Sequence, residues 1–467
     1  MADAVEKADR EAFYEKILKR GKQIHFIGVG GVGMISLFAF CRNFGFKVSG
    51  SDIKETPALR KLISDGERIT IGHNRELVKN ADIVVYTTAV GENDPELSEA
   101  KERGIPTLSR AEFLGILMKE YKTRIGVSGS HGKSTVTAMI SHILSCSGKK
   151  PTTLCGAELE KNGAPYIFGE KEYLVYESCE YKDAFLNFCP TIGVFTNLEH
   201  DHIDYFPDLE SIKLSFIKAL NKPQISVINA DDENLGSLLP YVFVKKVLVG
   251  EGERCDFKVT DIKCEKGKYS FKISHGGRET PKIQLKIIGK FSVFNASLAF
   301  ALSSILGLVD REIIKGIESF SGIPRRTEYL GEISGKRIFY DYAHHPTEIS
   351  ETLRAVSESY GGGVSVIFKP HTFSRTEGFF SGFVKALSLS DRVYMLEIDP
   401  IREEKTSDIS SEQLAKAIGE KAAVIKDSEL LTSILKTPDL NVIIMGAGHI
   451  DLTEIKRTLS CEGKSSC

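Results

Sequence analysis

The chain has 467 residues, of which 42% are hydrophobic and 27% are charged, so it should fold into ordinary globular domains. A chain of this length corresponds to about three domains. The formal net charge of -2 provides no electrostatic attraction for nucleic acid or for an anionic lipid surface. Because no run of about 18 apolar residues is present, a membrane-spanning helix is not expected.

The N-terminal segment and the cysteines both indicate a cytoplasmic protein. Residues 1–20 are charged and helix-prone, and they lack the apolar stretch of a signal peptide. Nine cysteines are scattered along the chain without any CxxC pair. We therefore expect reduced thiols, most of them small buried side chains, and neither a disulfide framework nor a cysteine-based zinc site.

The first block of the chain, residues 1–120, begins with the strand-like run QIHFI and the glycine turn GVGGVG. Apolar strands then alternate with helices, which predicts a parallel sheet. Gly28, Gly30 and Gly33 fit the GxGxxG pattern, and Asp52 ends the second strand. This pattern predicts a dinucleotide site with Asp52 on a ribose, and a nucleotide-sugar diphosphate suits the same helix N-terminus. Alternatively, the glycines serve only tight strand-to-helix packing.

The second block, residues 121–322, carries the segment GVSGSHGKST between a short apolar strand and an amphipathic helix. A glycine loop in that position predicts a triphosphate site, where backbone N–H groups and the helix N-terminus hold the phosphates. Lys133 would neutralise the β- and γ-phosphate oxygens, and a hydroxyl of Ser134 or Thr135 would reach Mg2+. The alternative is a glycine-rich turn that merely precedes a basic helix start.

Two acidic segments follow strands of the second block. Glu177 ends one strand, and the run EHDHID from Glu199 to Asp204 follows another. Because strand ends in an open α/β sheet face the ligand crevice, these carboxylates and His202 could hold Mg2+ beside the triphosphate. Two histidines around an aspartate would suit zinc, but no third ligand has a familiar spacing, and a solvated acidic loop is another alternative. From about residue 254 to 288, strands alternate around glycine turns, which predicts an antiparallel insertion.

The third block, residues 323–467, again has apolar strands between helices, and several of these strands end in cationic or imidazole groups. Such groups would suit an anionic substrate and the charge that develops on a transferring phosphate. Any single one of them could instead be a structural hydrogen-bonding residue. The polar side chains at these strand ends are Arg325, Arg326, Asp341, His344, His345, Lys369, His371 and Arg375.

The sequence thus predicts an α/β fold with three consecutive α/β domains. They are a Rossmann-like domain over residues 1–120, a central P-loop ATPase domain with a small antiparallel insertion over 121–322, and a C-terminal Rossmann-like domain over 323–467. Over essentially the whole chain, the segments HFIGVGGVGM, GVSGSHGKST, TNLEHDHIDYF, YDYAHHPTEI and FKPHTFSRT resemble the Mur ligase family in content and order. His131 and the paired histidines resemble the alanine-adding branch of that family.

The resemblance implies an ATP-dependent ligase with ATP and Mg2+ as cofactors and UDP-N-acetylmuramate and L-alanine as substrates. The first domain would bind the UDP substrate, the second ATP, and the third would close over the site with the amino acid. An acyl phosphate would be the intermediate in this step of peptidoglycan precursor synthesis. The protein would be a cytoplasmic monomer or weak homodimer, without nucleic acid and without membrane insertion.

The resemblance also assigns roles to individual residues. For ATP these are Gly129, Ser130, His131, Gly132, Lys133, Ser134, Thr135, Asn295, Arg326 and Asp341. For the UDP substrate they are Gly30, Gly31, Val32, Gly33, Asp52, His73, Thr88 and His344. The metal ligands would be Ser134, Glu177 and His202, and the catalytic residues Lys133, His202, His345 and Arg375, with His345 or His202 as the base.

Five residues depart from the family pattern, namely Ile35, Cys179, Phe291, Ser292 and Thr372. Three alternatives therefore stay open. The chain could attach a recycled peptide to the same sugar nucleotide, or it could be a non-catalytic nucleotide-binding paralogue. An NAD-dependent oxidoreductase would leave the second glycine loop unexplained. Lys213 is expected to be a solvated helix lysine rather than a carbamoylated metal ligand.

Overall fold

The computed structural model describes residues 17, 21–159, 163–400, 403 and 408–462. The charged N-terminal segment, except for Ile17, and Cys467 lie outside these residues. Within the described ranges, no helix is long and apolar enough to cross a membrane.

The first sheet confirms the predicted parallel arrangement. Its strands are β1 (Gln23–Ile27), β2 (Lys47–Asp52), β3 (Arg68–Ile71), β4 (Ile83–Tyr86) and β5 (Thr107–Ser109), and its helices are α1 (Val32–Asn43), α2 (Pro57–Ser64), α3 (Pro95–Glu102) and α4 (Arg110–Leu117). The strands are parallel throughout, in the order β3-β2-β1-β4-β5. The glycine turn after the central strand β1 is therefore at the carboxyl edge of the sheet, where ligands bind in such folds.

The second sheet has eleven strands. They are β6 (Thr123–Ser128), β7 (Thr152–Leu154), β8 (Tyr166–Ile167), β9 (Tyr173–Glu177), β10 (Ile192–Phe195), β11 (Ile225–Asn229), β12 (Lys245–Gly250), β13 (Phe257–Glu265), β14 (Lys268–His275), β15 (Arg278–Glu279) and β16 (Ile283–Gln284). Its helices are α5 (Lys133–Cys146), α6 (Leu209–Leu220), α7 (Glu233–Leu238), α8 (Phe291–Ile305) and α9 (Asp310–Ser319). Strand β6 lies between β10 and β9, so the acidic segments after those two strands flank the glycine loop after β6.

The predicted antiparallel segment is present as β13 to β16. It extends the parallel sheet instead of forming a separate layer, because β13 pairs in parallel with β12. The apolar face predicted for α5 is confirmed, since Val136, Met139, Ile140, Ile143 and Leu144 are all fully buried.

The third sheet has the order β17-β18-β22-β19-β20-β21. Its strands are β17 (Glu328–Ile333), β18 (Lys336–Asp341), β19 (Val364–Phe368), β20 (Arg392–Met395), β21 (Ala422–Val424) and β22 (Asn441–Met445). Its helices are α10 (Pro346–Tyr360), α11 (Phe373–Gly378), α12 (Phe380–Leu387), α13 (Ser411–Ile418), α14 (Leu430–Lys436) and α15 (Thr453–Glu462). Only β17 runs antiparallel to its neighbour in this sheet. The breaks between the three sheets fall near the predicted domain boundaries, which remain predictions.

The cysteines are more exposed than the sequence suggested. None of the eight described cysteines forms a disulfide, and among them only Cys41 and Cys155 are buried. Cys146 is the last residue of α5, Cys461 lies near the end of α15, and Cys264 faces solvent from β13. The expectation of mostly buried thiols is therefore wrong, while the expectation of no disulfide holds for the described cysteines.

Candidate active site

The glycine loop between β6 and α5 has a conformation that only glycine adopts without strain. Gly129 and Gly132 have φ angles of 142° and 79°. A Cβ atom on Gly129 would stand 2.0 Å from the hydroxyl of Thr196, and one on Gly132 would stand 2.8 Å from the amide oxygen of Asn295. The loop is thus held between the end of β10 and helix α8, and it leads directly into the N-terminus of α5.

Lys133, the first residue of α5, is folded back over this loop. Its Nζ donates to the carbonyl oxygens of Gly129 and Ser130, and to both carboxylate oxygens of Glu180 at 3.1 and 3.2 Å. Burial lowers the pKa of Lys133, but the fully buried Glu180 outweighs it and raises the pKa above its ordinary range. Sequence analysis missed Glu180, although it lies three residues after Glu177 at the same strand end.

A second charged group surrounds His131 in the middle of the loop. The imidazole contacts Glu348 Oε1 through Nδ1 at 3.1 Å and Glu199 Oε2 through Nε2 at 3.4 Å. Burial lowers the pKa of His131, but the two carboxylates more than compensate and raise it to about 10. His131 is therefore an imidazolium at neutral pH, and the loop presents two cations. Glu348, from α10 of the third sheet, is another residue that sequence analysis missed.

His345 lies against His131, with 4.9 Å between the ring centroids. It is the N-cap of α10, where its side chain accepts a hydrogen bond from the Thr347 N–H. Burial and the positive charge of His131 lower the pKa of His345 to about 4, so its ring is neutral. Its Nε2 atom is buried and has no hydrogen-bond partner among the described residues.

A cavity of about 870 Å3 opens beside this group, between the second and third sheets. Its wall includes Asn295, Arg326 and Asp341, three residues predicted to contact ATP. The volume falls within the range of small-molecule sites. The wall also includes His131, Gly132, Thr135, Glu199, Ile287, Lys290, Phe291, Phe294 and Glu348.

Arg326 and Asp341 have different roles in that wall. The Arg326 guanidinium donates to the hydroxyl of Ser134 at 3.4 Å and lies over the ring of Tyr342. The buried carboxylate of Asp341 accepts hydrogen bonds from Thr327 and from the Ala343 N–H, so it stabilises the end of strand β18. Burial raises the pKa of Asp341.

His202 and Arg375 meet across the same interface through Asp201. Arg375 Nη2 on α11 contacts Asp201 Oδ1 at 3.0 Å, while Nη1 is buried without a hydrogen-bond partner in the described part of the chain. Burial lowers the pKa of His202, but hydrogen bonds to Cys179 and Glu180 more than offset it and raise the pKa to about 10.

Glu177, the predicted metal-binding carboxylate, points toward the start of α5. Its Oε1 accepts hydrogen bonds from the Gly156 N–H at 2.6 Å and the Cys155 thiol at 2.9 Å. The ligand-type atoms that lie within 4.8 Å of one another around His202 belong to Cys179 and Glu180 instead. The structure therefore places Glu177 near Ser134 through Cys155, whose thiol also donates to the Ser134 carbonyl.

The glycine turn of the first sheet contains no charged residue. Asp52 lies beneath it, 5% exposed, and accepts the Gly30 N–H at 2.7 Å, so one carboxylate oxygen already supports the turn. A Cβ atom on Gly33 would meet the guanidinium of Arg110 at 3.2 Å. Val32 is exposed at the start of α1, whose N-cap is Gly31.

Arg110 is a cation that sequence analysis missed. It begins α4 and lies against the N-terminus of α1. Burial lowers its pKa, and Cys179 and Glu177 act on it through charge, but no hydrogen bond or ion pair to its guanidinium occurs within the described residues. It thus stands between the first glycine turn and the acidic strand end of the second sheet. An arginine after strand β5 has no local sequence signal, so only the fold reveals it.

The remaining predicted residues of the first and third sheets are less central. His73 hydrogen-bonds Asp94 through Nδ1, and its Nε2 is buried without a partner in the described ranges. Thr88 is exposed in the turn after β4. His344 hydrogen-bonds the Tyr342 carbonyl oxygen through Nδ1 at 3.0 Å, and burial lowers its pKa to about 3. The structure does not bring His344 to the first glycine turn, because its ring contacts Tyr342 and His371 within the third sheet.

The departures from the family pattern are structurally accommodated. Ile35 is buried in α1, Phe291 lines the cavity, and Ser292 donates to the Ile288 carbonyl. Thr372 has a φ of 62° and caps α11.

Lys213 forms an ion pair with Glu210 on the same helix at 3.0 Å, and its side chain is 18% exposed, so it is less solvated than expected.

Comparison with known proteins gives one consistent result. Residues 23–122 match the family described as Mur ligase family, catalytic domain, residues 127–303 match the Mur ligase middle domain, and residues 325–448 match the Mur ligase, glutamate ligase domain. The chain is 40% identical over 435 residues to the UDP-N-acetylmuramate–L-alanine ligase of Caldicellulosiruptor saccharolyticus, covering 91% of this chain and 96% of that protein.

Two solved structures have the same fold. The UDP-N-acetylmuramate–alanine ligase of Thermotoga maritima superposes with a TM-score of 0.78 at 26% identity, covering 96% of this chain and all of that one. A murein peptide ligase from Psychrobacter arcticus superposes with a TM-score of 0.69 at 21% identity, covering 94% of this chain and 98% of that one. At that lower identity, the second comparison shows the fold alone.

Proposed function

Since the chain belongs to the Mur ligase family, we propose that it joins L-alanine to the carboxylate of UDP-N-acetylmuramate at the expense of ATP. The observation that carries this proposal is the similarity over nearly the whole chain to alanine-adding ligases. The site supports it locally, because a two-cation phosphate loop, a neutral imidazole and an open cavity lie together between the second and third sheets.

ATP would occupy the cavity with its triphosphate on the loop. The apolar side chains of Ile287, Phe291 and Phe294 line the end that suits the adenine. Backbone N–H groups at the start of α5 would bind the phosphates, and Lys133 would exchange Glu180 for phosphate oxygens.

The residues around Lys133 also fit Mg2+. Mg2+ prefers oxygen ligands, and the Ser134 hydroxyl and the Glu177 and Glu180 carboxylates provide them beside the phosphate loop. These residues, with His202 as predicted, would hold the ion, which neutralises charge on the phosphates when bound.

The reaction begins with the substrate carboxylate, which attacks the γ-phosphorus of ATP. The P–O bond to ADP breaks, and an acyl phosphate forms. The imidazolium of His131 and the ammonium of Lys133 would stabilise the charge on the transferred group. The alanine amine then attacks the acyl carbon, and inorganic phosphate leaves with the C–O bond electrons.

The amine must lose a proton in this second step, and His345 suits that role better than His202. His202 carries a proton at neutral pH because its pKa is raised to about 10, so it cannot accept another. His345 is neutral, and its Nδ1, which accepts the Thr347 N–H, is the basic nitrogen that would take the proton, while Nε2 carries the hydrogen of the neutral ring. Negative charge on the bound phosphates would raise the pKa of His345 and strengthen it as a base.

An acyl phosphate must be protected from water, and the third sheet contributes to this. Thr347 donates to Glu199 at 2.7 Å, and Arg375 contacts Asp201 at 3.0 Å, so both acidic residues of the second sheet are bridged by residues of the third. These contacts cover the phosphate loop from the side of the C-terminal domain.

The UDP end of the substrate would lie on the first glycine turn. Its diphosphate suits the N-terminus of α1, and Arg110 beside Gly33 provides the positive charge that the turn itself lacks.

The test is ADP release with UDP-N-acetylmuramate and Mg2+-ATP, with either L-alanine or the tripeptide L-Ala-γ-D-Glu-meso-diaminopimelate as the amine. We expect turnover with L-alanine to exceed turnover with the tripeptide. Turnover with the tripeptide alone would support the peptide-attaching alternative. ATP binding without ADP release for any amine would support a non-catalytic paralogue and overturn the proposal.

A further inference from the structure

Three side chains of metal-ligand type meet beside the phosphate loop. The Cys179 sulfur, a Glu180 carboxylate oxygen and a His202 ring nitrogen all lie within 4.8 Å of one another. His202 Nε2 stands 3.5 Å from Glu180 Oε1. The thiol at position 179 is one of the five residues that depart from the pattern of the resemblance.

The fold explains why the sequence pattern did not reveal the group. Cys179 and Glu180 follow β9, whereas His202 follows β10, and these two strands lie on opposite sides of β6. The His202 backbone has a left-handed conformation, with a φ of 55°, and its backbone N–H donates to Asp201 Oδ1 at 2.7 Å. The third ligand that was missing from the histidine segment therefore comes from another loop.

The chemistry of these ligands suits a softer cation than Mg2+. Thiolate, imidazole and carboxylate together are ligands of Zn2+, which accepts three protein ligands and a water, whereas Mg2+ selects oxygen. Ligand atoms of a tetrahedral zinc site stand about 3.5 Å apart, given metal–ligand distances of about 2.0 to 2.3 Å. Side-chain rotations that move the atoms by about 1 Å would therefore close the site. Glu180 has a second oxygen that can stay with Lys133.

We propose that Cys179, Glu180 and His202 bind one soft divalent cation of the Zn2+ class, with water in the fourth position. If the proposed ligase function holds, the bound ion withdraws Glu180 and His202 from the site of ATP-bound Mg2+. Zn2+ then inhibits the ligase in competition with Mg2+, and a chelator restores activity.

The direct test uses Co2+ as a spectroscopic probe on the full chain without nucleotide. We expect a thiolate-to-cobalt charge-transfer band that saturates at one Co2+ per chain and disappears on addition of Zn2+. Cys179→Ser should abolish the band, and Glu180→Gln should weaken Co2+ binding by more than about tenfold. Cys189→Ser is the matched control, because Cys189 is also a partly buried free thiol, and it should leave the band unchanged.

A second measurement uses only the wild-type chain, so its outcome does not depend on whether a variant folds. Alkylation of the wild-type chain by iodoacetamide, followed by mass spectrometry, should show that Zn2+ protects Cys179 but not Cys189. The proposal is overturned if wild type gives no band, if the band persists in Cys179→Ser, or if Zn2+ protects neither thiol. These readouts are independent of ADP release, so a metal site without ligase activity would contradict the proposed function alone.

Discussion

The two glycine loops of this protein both precede a helix, but they handle charge in opposite ways. The turn at Gly28–Gly33 has no charged side chain of its own. The cation beside it, Arg110, comes from α4 of the same domain and has no hydrogen-bonded or ion-paired partner within the described residues. The loop at Gly129–Gly132 has cations within and beside it, and each is already paired with a carboxylate.

The difference indicates what each loop does during a reaction. A neutral turn with a fixed cation can bind a diphosphate that stays unchanged through turnover. In the second loop, the cations must leave their carboxylate partners before they can contact phosphate. Phosphate binding there is therefore coupled to movement of Glu180 and of Glu348, which belongs to the third domain. Chemistry is expected at the second loop and anchoring at the first.

The largest effect should follow from removing the cation of the second loop. Lys133→Met should lower amino-acid-dependent ADP release by about 10²- to 10³-fold, as expected for a donor to the transferred group. The substitution leaves Glu180 buried without its cation, which also lowers stability. The double variant Lys133→Met/Glu180→Gln should therefore recover the melting temperature of wild type but not its activity. Normal turnover in either variant would contradict the role of this loop.

The contact between the second and third sheets should give the next largest effect. Arg375→Met should reduce kcat/KM for the amino acid by about 10²-fold if Arg375 stabilises the reacting groups as proposed, since its buried Nη1 has no hydrogen-bond partner among the described residues. Arg375→Lys should lose less, since it keeps the charge near Asp201. An unchanged kcat/KM in Arg375→Met would show that the Asp201 contact is structural only.

Removing the cation of the first loop should produce a smaller and more selective effect. Arg110→Met should raise the KM for the sugar nucleotide by about tenfold to a hundredfold, the usual range for a lost charge-assisted hydrogen bond, without changing the KM for ATP. Arg103→Met is the matched control, because Arg103 pairs with Glu99 on the surface of the same domain. Equal changes in both KM values would contradict an anchoring role.

The smallest effect is on the pH dependence of stability. His131 has a pKa of about 10 when folded and about 6.5 when unfolded, so its contribution is complete below about pH 6.5 and is lost as pH rises toward 10. His345 has a pKa of about 4 when folded, so acidification from about pH 6.5 toward 4 favours unfolding.

Calorimetric melting temperatures between pH 4.5 and 10 would test both statements. The melting temperature should fall on each side of about pH 6.5. His131→Gln should reduce the alkaline fall without abolishing it, because the pKa of His202 is also raised to about 10. His345→Gln should likewise reduce the acidic fall, to which His344 also contributes through its pKa of about 3, and the exposed His449→Gln serves as a control. The same alkaline slope in wild type and in His131→Gln would contradict the ion-pair account of the loop.

The fold was largely predictable because its signals are local. Apolar strands, glycine turns and helix faces such as that of α5 follow from neighbouring residues. The charge partners of the site residues could not be predicted, because they depend on tertiary contacts. Glu180 meets Lys133 across two strands, Glu348 reaches His131 from another domain, and Arg110 approaches Gly33 from a helix far along the chain.

The most direct test of the division between the loops is calorimetric titration of two variants with two ligands. Lys133→Met should lose at least about tenfold in affinity for a non-hydrolysable ATP analogue and keep its affinity for UDP-N-acetylmuramate. Arg110→Met should show the reverse. If both variants lost the same ligand, or if Lys133→Met bound the ATP analogue as tightly as wild type, the assignment of triphosphate to the second loop and sugar nucleotide to the first would be contradicted.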